Sequence, residues 1–433
     1  MLLPVARCRF NVTLGGMGDA VLAGVLLATL GGLYLRPFGA RDWQVAATGG
    51  MGAWLLSPLG LRDGVATIAD SWNILAFFLG LMLIAAAADA SGLYARAAVI
   101  LRGGRLGMVP AVLLIGTGIT AILSNDATPL ILTPAIFAAA RMSRADPMPA
   151  ALAATFTADG ASLLLPVSNP VNLLFYDRLD MGFGRYAAEI LPAAVVGMLV
   201  LGAIVIWRAR SIRPSPMINT DVDPSPGWTA YGRFTLAAVC LLAPAYVVAA
   251  LLSWPLGIVT VSAGAGLSVA GMALGASGVA HVRGHVSPGL FVFVIGMLLL
   301  VEALTSAGLF NGVSDALGWL AEQPGIVAII GAAVVGALLS NLLNNWPAAL
   351  LLSAAIALTP GQPHELTAGA LIGCTIGANL TMLGSLSTVF WTTLGRPRGL
   401  GMSSGHYARV AALPTLAAVG AACVAAWVAI GVR

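Results

Sequence analysis

Three acids stand in strongly apolar sequence and could carry protons: Asp126 in SNDATP, Asp159 in TADGAS, and Glu302 in the middle of an apolar run. A carboxylate in such surroundings is costly unless it has a partner or a task. Around the first two lie amides and hydroxyls that can coordinate a solute: Asn125, Thr128, Ser168, Asn169 and Asn172. Later the chain does something similar. SNLLNNWP supplies Asn344 and Asn345, GCTIGAN supplies Cys374, and LGSLST supplies Ser385. Each group also has a plainer reading. Ser124, Asn125 and the asparagines beside Pro170 and Pro347 can cap helices. Asp159 can make a structural hydrogen bond, Glu302 can be a paired structural acid, and a lone cysteine is usually packing. For Asp89, near a helix end, an ion pair with Arg96 is expected.

The elements that hold these groups are set by composition. The chain has 433 residues, 59% of them hydrophobic and only 9% charged, against ~25% charged in soluble domains. Its mean hydropathy is +0.94. A polytopic helical membrane protein follows, with room for about ten spans. The 52 glycines suit close helix packing. The net charge of +4 comes from arginine alone, so the basic balance is a topology signal and not a nucleic-acid footprint. Four cysteines (Cys8, Cys240, Cys374, Cys423) show no metal-binding spacing. No phosphate-binding loop, HExxH or nucleophile–base pair is present, so no enzyme and no cofactor is expected. The N-terminal apolar run from Ala20 leads into a further span and is read as the first span rather than a signal peptide.

The polar breaks recur in two halves. Residues 106–123 are apolar, SNDATP interrupts them, and Leu130 to Ala140 is apolar again, with arginine on both flanks. The second arm would span about 17 Å, short of the ~30 Å core. A re-entrant hairpin with Ser124 to Thr128 at its tip is therefore expected. A second broken segment surrounds SNLLNNWP. GLMLIAAAADASGLY (Gly80 to Tyr94) parallels GMLLLVEALTSAGLF (Gly296 to Phe310), and GRYAAEILPAAVVG (Gly184 to Gly197) parallels GHYARVAALPTLAAVG (Gly405 to Gly420). Asn344 and Asn345 are aligned with Asn125 and Asp126. The fold expected is an all-α polytopic membrane protein of two inverted-topology repeats. Each repeat has about five transmembrane helices plus one re-entrant hairpin, with broken helices at the midplane.

The expected organisation is an N-terminal segment (1–19), a first repeat (20–207), a cytoplasmic linker (208–233) and a second repeat (234–433). With the first hairpin's flanks placed in the cytoplasm, most arginines fall inside and both termini fall outside.

At this point the sequence resembles the arsenite efflux permeases, the arsenical pump membrane proteins of the ion transporter superfamily. LSNDATPLILTP resembles that family's Asn-Asp-Gly-x-x-Leu-Ile-Leu-Thr-Pro segment. FTADGASLLLPVSNPVN resembles its Ile-Ala-Asp and Ser-Asn-Leu-Val-Asn segments. NNWP and IGC followed by LGSLST match two more. Ala127 replaces a family glycine, and Thr375 and Asn379 replace an Asp and a Lys. The resemblance implies export of trivalent arsenite and antimonite across the cytoplasmic (inner) membrane, driven by inward proton flow. It also implies that some members dock a soluble arsenite-stimulated ATPase.

On that reading Asn125, Thr128, Ser168, Asn169, Asn172, Asn344, Asn345, Ser385 and Cys374 would bind substrate. Asp126, Asp159 and Glu302 would couple protons. The alternative within the superfamily is a Na⁺-coupled anion carrier or a Na⁺/H⁺ antiporter. An anionic substrate would want a mid-span arginine, and the sequence offers none.

Overall fold

The computed structural model describes residues 16–35, 39–103, 107–143, 145–179, 181–210, 228–252, 254–361 and 363–432. Cys8, Arg36, Arg105, Arg144, Arg213 and the linker segment RPSPMINTDVDPSPG lie outside the described residues.

The described residues form helices and no strands. The first half holds α1 (Gly16–Leu35), α2 (Asp42–Leu56), α3 (Leu61–Asp70), α4 (Trp72–Ala90), α5 (Leu93–Gly103), α6 (Met108–Ile122), α7 (Ala127–Ser143), α8 (Met148–Gly160), α9 (Pro170–Arg178), α10 (Phe183–Glu189) and α11 (Leu191–Arg210). The second half holds α12 (Ala230–Leu251), α13 (Leu256–Ala273), α14 (Val279–His285), α15 (Pro288–Ser306), α16 (Asn311–Ala321), α17 (Gly325–Leu343), α18 (Asn345–Leu358), α19 (His364–Thr375), α20 (Leu386–Gly395) and α21 (Ser404–Gly431).

Among the described residues, six stretches are long and apolar enough to cross a bilayer: Trp72–Ala90, Leu191–Ala209, Leu256–Ala273, Val279–Ser306, Gly325–Leu343 and Ser404–Gly431. Leucines such as Leu27, Leu114 and Leu199 stand outward, more than 60% exposed. That suits a surface facing acyl chains, where no charged coat is needed. The chain is a multi-pass membrane protein.

Several expected spans are shorter or divided. α8 and α9 are 13 and 9 residues long, separated by an irregular stretch that contains Pro166, and Pro170 opens α9. Proline withholds a backbone donor and blocks the preceding turn, so the helix cannot run through. α19 and α20 are also split, here without proline, by a 3₁₀ turn at Ile376–Leu380 and the residues after it. The arms of the first hairpin, α6 and α7, have 15 and 17 residues. At 1.5 Å per residue they reach about 22 and 25 Å, still below the ~30 Å core.

Two charge-bearing segments that precede the hairpins are helical. The stretch around Arg96 and Arg102 is α5, and the stretch carrying Asp315 is α16. Both have one apolar face, and that face packs on the hairpin helices. Arginine marks a membrane boundary, but it does not prevent helix formation.

Element order repeats: α1–α2–α3–α4–α5 and the α6/α7 hairpin are followed in the second half by α12–α13–α14–α15–α16 and the α17/α18 hairpin. The packing exchanges partners between the halves, since α4 lies on α13 while α15 lies on α2. Both contacts depend on glycine. A Cβ on Gly50 of α2 would collide with the Gly296 carbonyl of α15, and one on Gly80 of α4 would collide with the Thr260 carbonyl of α13. Missing side chains let the backbones touch, which in a bilayer supplies dispersion contact that hydrophobicity cannot.

The apolar interior falls into two cores. One is built on α1, α2, α4, α12, α13 and α15. The other is built on α6, α8, α11, α17, α19 and α21, with the outer parts of the hairpins. Each draws on both halves. Residues near the hairpin tips and second break, including Leu123, Ala127, Leu383 and Leu386, pack on the first core. The tips therefore sit where the two cores meet.

Candidate functional site

Asp159 lies in the last turn of α8 and is fully buried. Its carboxylate takes hydrogen bonds from both halves of the chain. Ser385 Oγ donates to Oδ1 at 2.7 Å and Ser387 Oγ at 2.8 Å. Asn125 Nδ2 reaches Oδ1 at 3.3 Å, and Thr388 Oγ1 approaches Oδ2 at 3.4 Å. Four neutral donors on one carboxylate replace the water it has lost, which makes its burial tolerable.

Those donors are placed by broken backbone. Ser385 caps α20, accepting the Ser387 amide at 3.3 Å while its own hydrogen goes to Asp159. The first break is capped in the same manner, by Asn169 Oδ1 accepting the Val171 amide at 2.9 Å. Each hairpin tip is pinned to the break of its own half. Asn125 N donates to the Ser168 carbonyl at 2.8 Å, and Asn345 N donates to the Gly384 carbonyl at 2.9 Å. Ser168 and Gly384 each stand one residue before a cap. Asn345 is thus the structural counterpart of Asn125, not of Asp126. The register is one residue off the sequence alignment because the tips have different shapes. Asn344 alone adopts φ 82°, while Asn125 and Asp126 do not.

Asn345 Nδ2 stands 3.5 Å from Ser385 Oγ. A line of side chains therefore runs from the second tip through Ser385 to Asp159 and on to Asn125 at the first tip. The corresponding position in the other half is Thr375, ten residues before its break cap Ser385, as Asp159 is ten before Asn169. Thr375 Oγ1 is tied to the Leu371 carbonyl at 2.6 Å. The acid is one-sided.

Other sequence-derived candidates fall in different places. Asp126 is buried beside this cluster, 3% exposed, and its Oδ1 has no hydrogen-bond partner. Thr128 turns back into its hairpin, 2.7 Å from Thr120 Oγ1. Ser168 Oγ bonds the Ala121 carbonyl and Asn172 Nδ2 the Ser162 carbonyl, so both brace the first break. Asn344 caps α18 and donates to the Leu383 carbonyl at 2.9 Å. Cys374 faces α17, its Sγ 4.0 Å from the Gly336 carbonyl. Glu302 is half-buried on α15, which packs on α3 with Asp63 as its carboxylate neighbour, and no bond joins it to the Asp159 cluster.

The Asp89–Arg96 pair does not form. Asp89 faces His285 and His281 instead, at 3.3 and 3.9 Å, while the Arg96 guanidinium stacks 4.1 Å over the Trp228 ring. Arg96 Nη1 also donates to the carbonyl of Ser91, the C-cap of α4, at 3.3 Å, so it meets the helix end through backbone and not through Asp89.

Sequence reasoning did not single out Ser387, Thr388 and Asn341, and it named Asn379 only as a departure from the family pattern. Ser387 and Thr388 sit inside the LGSLST motif, whose alternation of hydroxyls was the available signal. Asn341 Nδ2 ties α17 to the Gly377 carbonyl at 2.8 Å. Asn379 Nδ2 reaches across to the Phe156 carbonyl at 3.4 Å. Several buried polar atoms around the cluster remain unsatisfied: Asn125 Oδ1, Asp126 Oδ1, Asn169 Nδ2, Asn172 Oδ1 and Asn379 Oδ1. Buried polar atoms are seldom left bare. Bare donors and acceptors set around the two breaks suit a small polar guest.

The chain matches the citrate transporter family over residues 25–376. It is 31% identical over 401 residues to an arsenical pump membrane protein of Escherichia coli, covering 86% of this chain and 92% of that one. It is 30% identical over 400 residues to the arsenical pump membrane protein of Yersinia enterocolitica, with 85% and 90% covered. An uncharacterised transporter of Mycobacterium tuberculosis is 22% identical over 368 residues, with 82% and 86% covered. Among solved structures, the YdaH transporter of Alcanivorax borkumensis, described as having an unusual topology, superposes with a TM-score of 0.51 over 96% of this chain and 98% of that one, at 15% identity. That likeness concerns fold alone. With the family match over most of the chain and about 30% identity to arsenical pump membrane proteins along nearly their whole length, the chain belongs to the arsenite efflux permease family of membrane transporters.

Proposed function

We propose that this protein is a secondary active transporter that exports trivalent arsenite and antimonite in exchange for protons. The observation that carries the reading is the hydrogen-bonded line joining both hairpin tips through Asp159. At neutral pH the substrate is a small, uncharged trihydroxide. Amides and hydroxyls match it, and the unsatisfied atoms of Asn125, Asn169, Asn172 and Asn379 are of the required kind.

Asp159 and Asp126 would hold the exchanged protons. Protonation of Asp159 turns an acceptor of four bonds into a group that also donates, so the line between the tips must rearrange. Because the tips lie where two cores meet, rearrangement there is suited to opening the site to one side and then the other. The two repeats would be inverted with respect to each other, and both termini would lie outside. The relatives' names support an arsenical cargo.

The test is arsenite uptake by everted vesicles or proteoliposomes under an imposed pH gradient, with and without Na⁺. Accumulation that collapses with a protonophore and ignores Na⁺ supports the reading. Absence of arsenite flux, or flux that needs Na⁺, discards it.

A second reading is a Na⁺-coupled carrier of a carboxylate anion, favoured by the description of the matching family. Against it, the described partners of Asp159 are Ser, Thr and Asn without a cation. Na⁺-dependent citrate uptake would favour this alternative.

A further inference from the structure

Away from the transport site, the end of α4 meets the short helix α14. His281 and His285 are one turn apart on α14 and present one face, as residues four apart must. Asp89, in the last turn of α4, lies opposite them. Asp89 Oδ2 is 3.3 Å from His285 Nε2 and 3.9 Å from His281 Nε2. One ligand atom from each residue lies within 4.8 Å of the other two.

The hydrogen-bond pattern decides what the cluster lacks. His285 Nδ1 lies 3.0 Å from the His281 carbonyl oxygen. A carbonyl can only accept, so Nδ1 carries the hydrogen. The lone pair of a neutral His285 then sits on Nε2 and points at the Asp89 carboxylate. A lone pair facing a carboxylate at that distance is repulsive, so the gap calls for a positive centre, either a proton on Nε2 or a metal ion. An imidazole whose other nitrogen donates to a backbone carbonyl is the arrangement that orients a metal ligand.

We propose that Asp89, His281 and His285 bind one divalent transition-metal ion of the Zn²⁺ class, tying α4 of the first half to α14 of the second. Two imidazoles and one carboxylate suit Zn²⁺ and leave a fourth position for water. Metal–ligand bonds of about 2.0–2.2 Å place ligand atoms roughly 3.4 Å apart in a tetrahedron, so the His285–Asp89 spacing is already suitable and His281 needs only a small ring movement. His281 Nε2 lies 3.1 Å from the Ala86 carbonyl. Without metal that nitrogen carries its hydrogen, and ligation requires the hydrogen to move to Nδ1 through solvent. The three side chains are 44%, 33% and 25% exposed, so solvent reaches the site. Arg398, from the second half, is the cation whose field reaches both Asp89 and His285, and it opposes a second cation there.

The experiment uses tag-free full-length protein in detergent. Zn²⁺ binding is measured by equilibrium dialysis and Co²⁺ binding by its visible absorption. One equivalent is expected for the unaltered chain, with affinity falling at least tenfold in His285→Gln and in His281→Gln. A metal-bound sample should show imidazole scattering in its X-ray absorption spectrum. Equal binding by the unaltered chain and by the double histidine variant overturns the proposal. So does a Co²⁺ adduct with a thiolate charge-transfer band and no imidazole ligation, and so does no binding at all, which leaves a proton in the gap. The spectroscopic arm needs no variant, so it decides even if the histidine variants fail to fold.

Discussion

Ser385 Oγ donates to Asp159 Oδ1 at 2.7 Å although 226 residues separate them. The bond joins the cap of a broken helix in one half to the acid at the end of a helix in the other. Removing the hydroxyl leaves a buried carboxylate short of a donor, which costs about 1.5–3 kcal/mol for a bond to a charged group. Ser385→Ala is expected to lower the rate of pH-driven arsenite uptake by tenfold or more, while Ser385→Thr retains most of it. Initial rates in proteoliposomes check this.

Asp159→Asn keeps the size of the side chain and discards the proton site. Arsenite accumulation against its gradient should be lost, while protein yield and detergent-solubilised monodispersity are kept. Full pH-driven accumulation in this variant would remove Asp159 from proton coupling.

Asn344 is the one described non-glycine residue at positive φ, and its side chain caps α18. Asn344→Gly relieves the backbone but loses the cap and the bond to Leu383. Asn344→Val loses both and adds steric strain of about 1–3 kcal/mol. Thermal unfolding should therefore rank the original residue above Gly, and Gly above Val.

Gly373 packs on α17, and a Cβ there would strike the Ala333 carbonyl. Backbone cannot retreat as a side-chain tip can. Gly373→Leu should abolish accumulation of folded protein in the membrane, whereas Gly24→Leu, at a site with open space, should leave it unchanged. Immunoblots of membrane fractions and fluorescence-detected size exclusion read both.

Cys374 lies against α17 and its sulfur is not one of the groups in the hydrogen-bonded line. Cys374→Ala should keep arsenite transport within about twofold of the original, since the missing sulfur leaves only a small void. A complete loss would place the thiol in the substrate's path.

Some of this was decided by residue type alone. So little charge on so long and apolar a chain leaves a bilayer as the only solvent that could cover it, and helices as the form its local hydrogen bonding permits. Pro129, Pro166, Pro170 and Pro347 mark the breaks because a missing N–H acts within one turn, wherever the chain goes next. The acids at 126 and 159 were visible because charge in an apolar run is costly at any depth.

Tertiary structure decided who meets whom. Nothing in the linear order says that Asp159 draws its donors from Ser385 and Ser387, since that depends on two halves packing through Gly50 and Gly80. The same holds for Asp89, which reads locally as a partner for Arg96 and is met instead by two histidines nearly two hundred residues away. Local signals act over a turn of helix, whereas a buried polar group takes its partners from whichever backbone is packed closest to it.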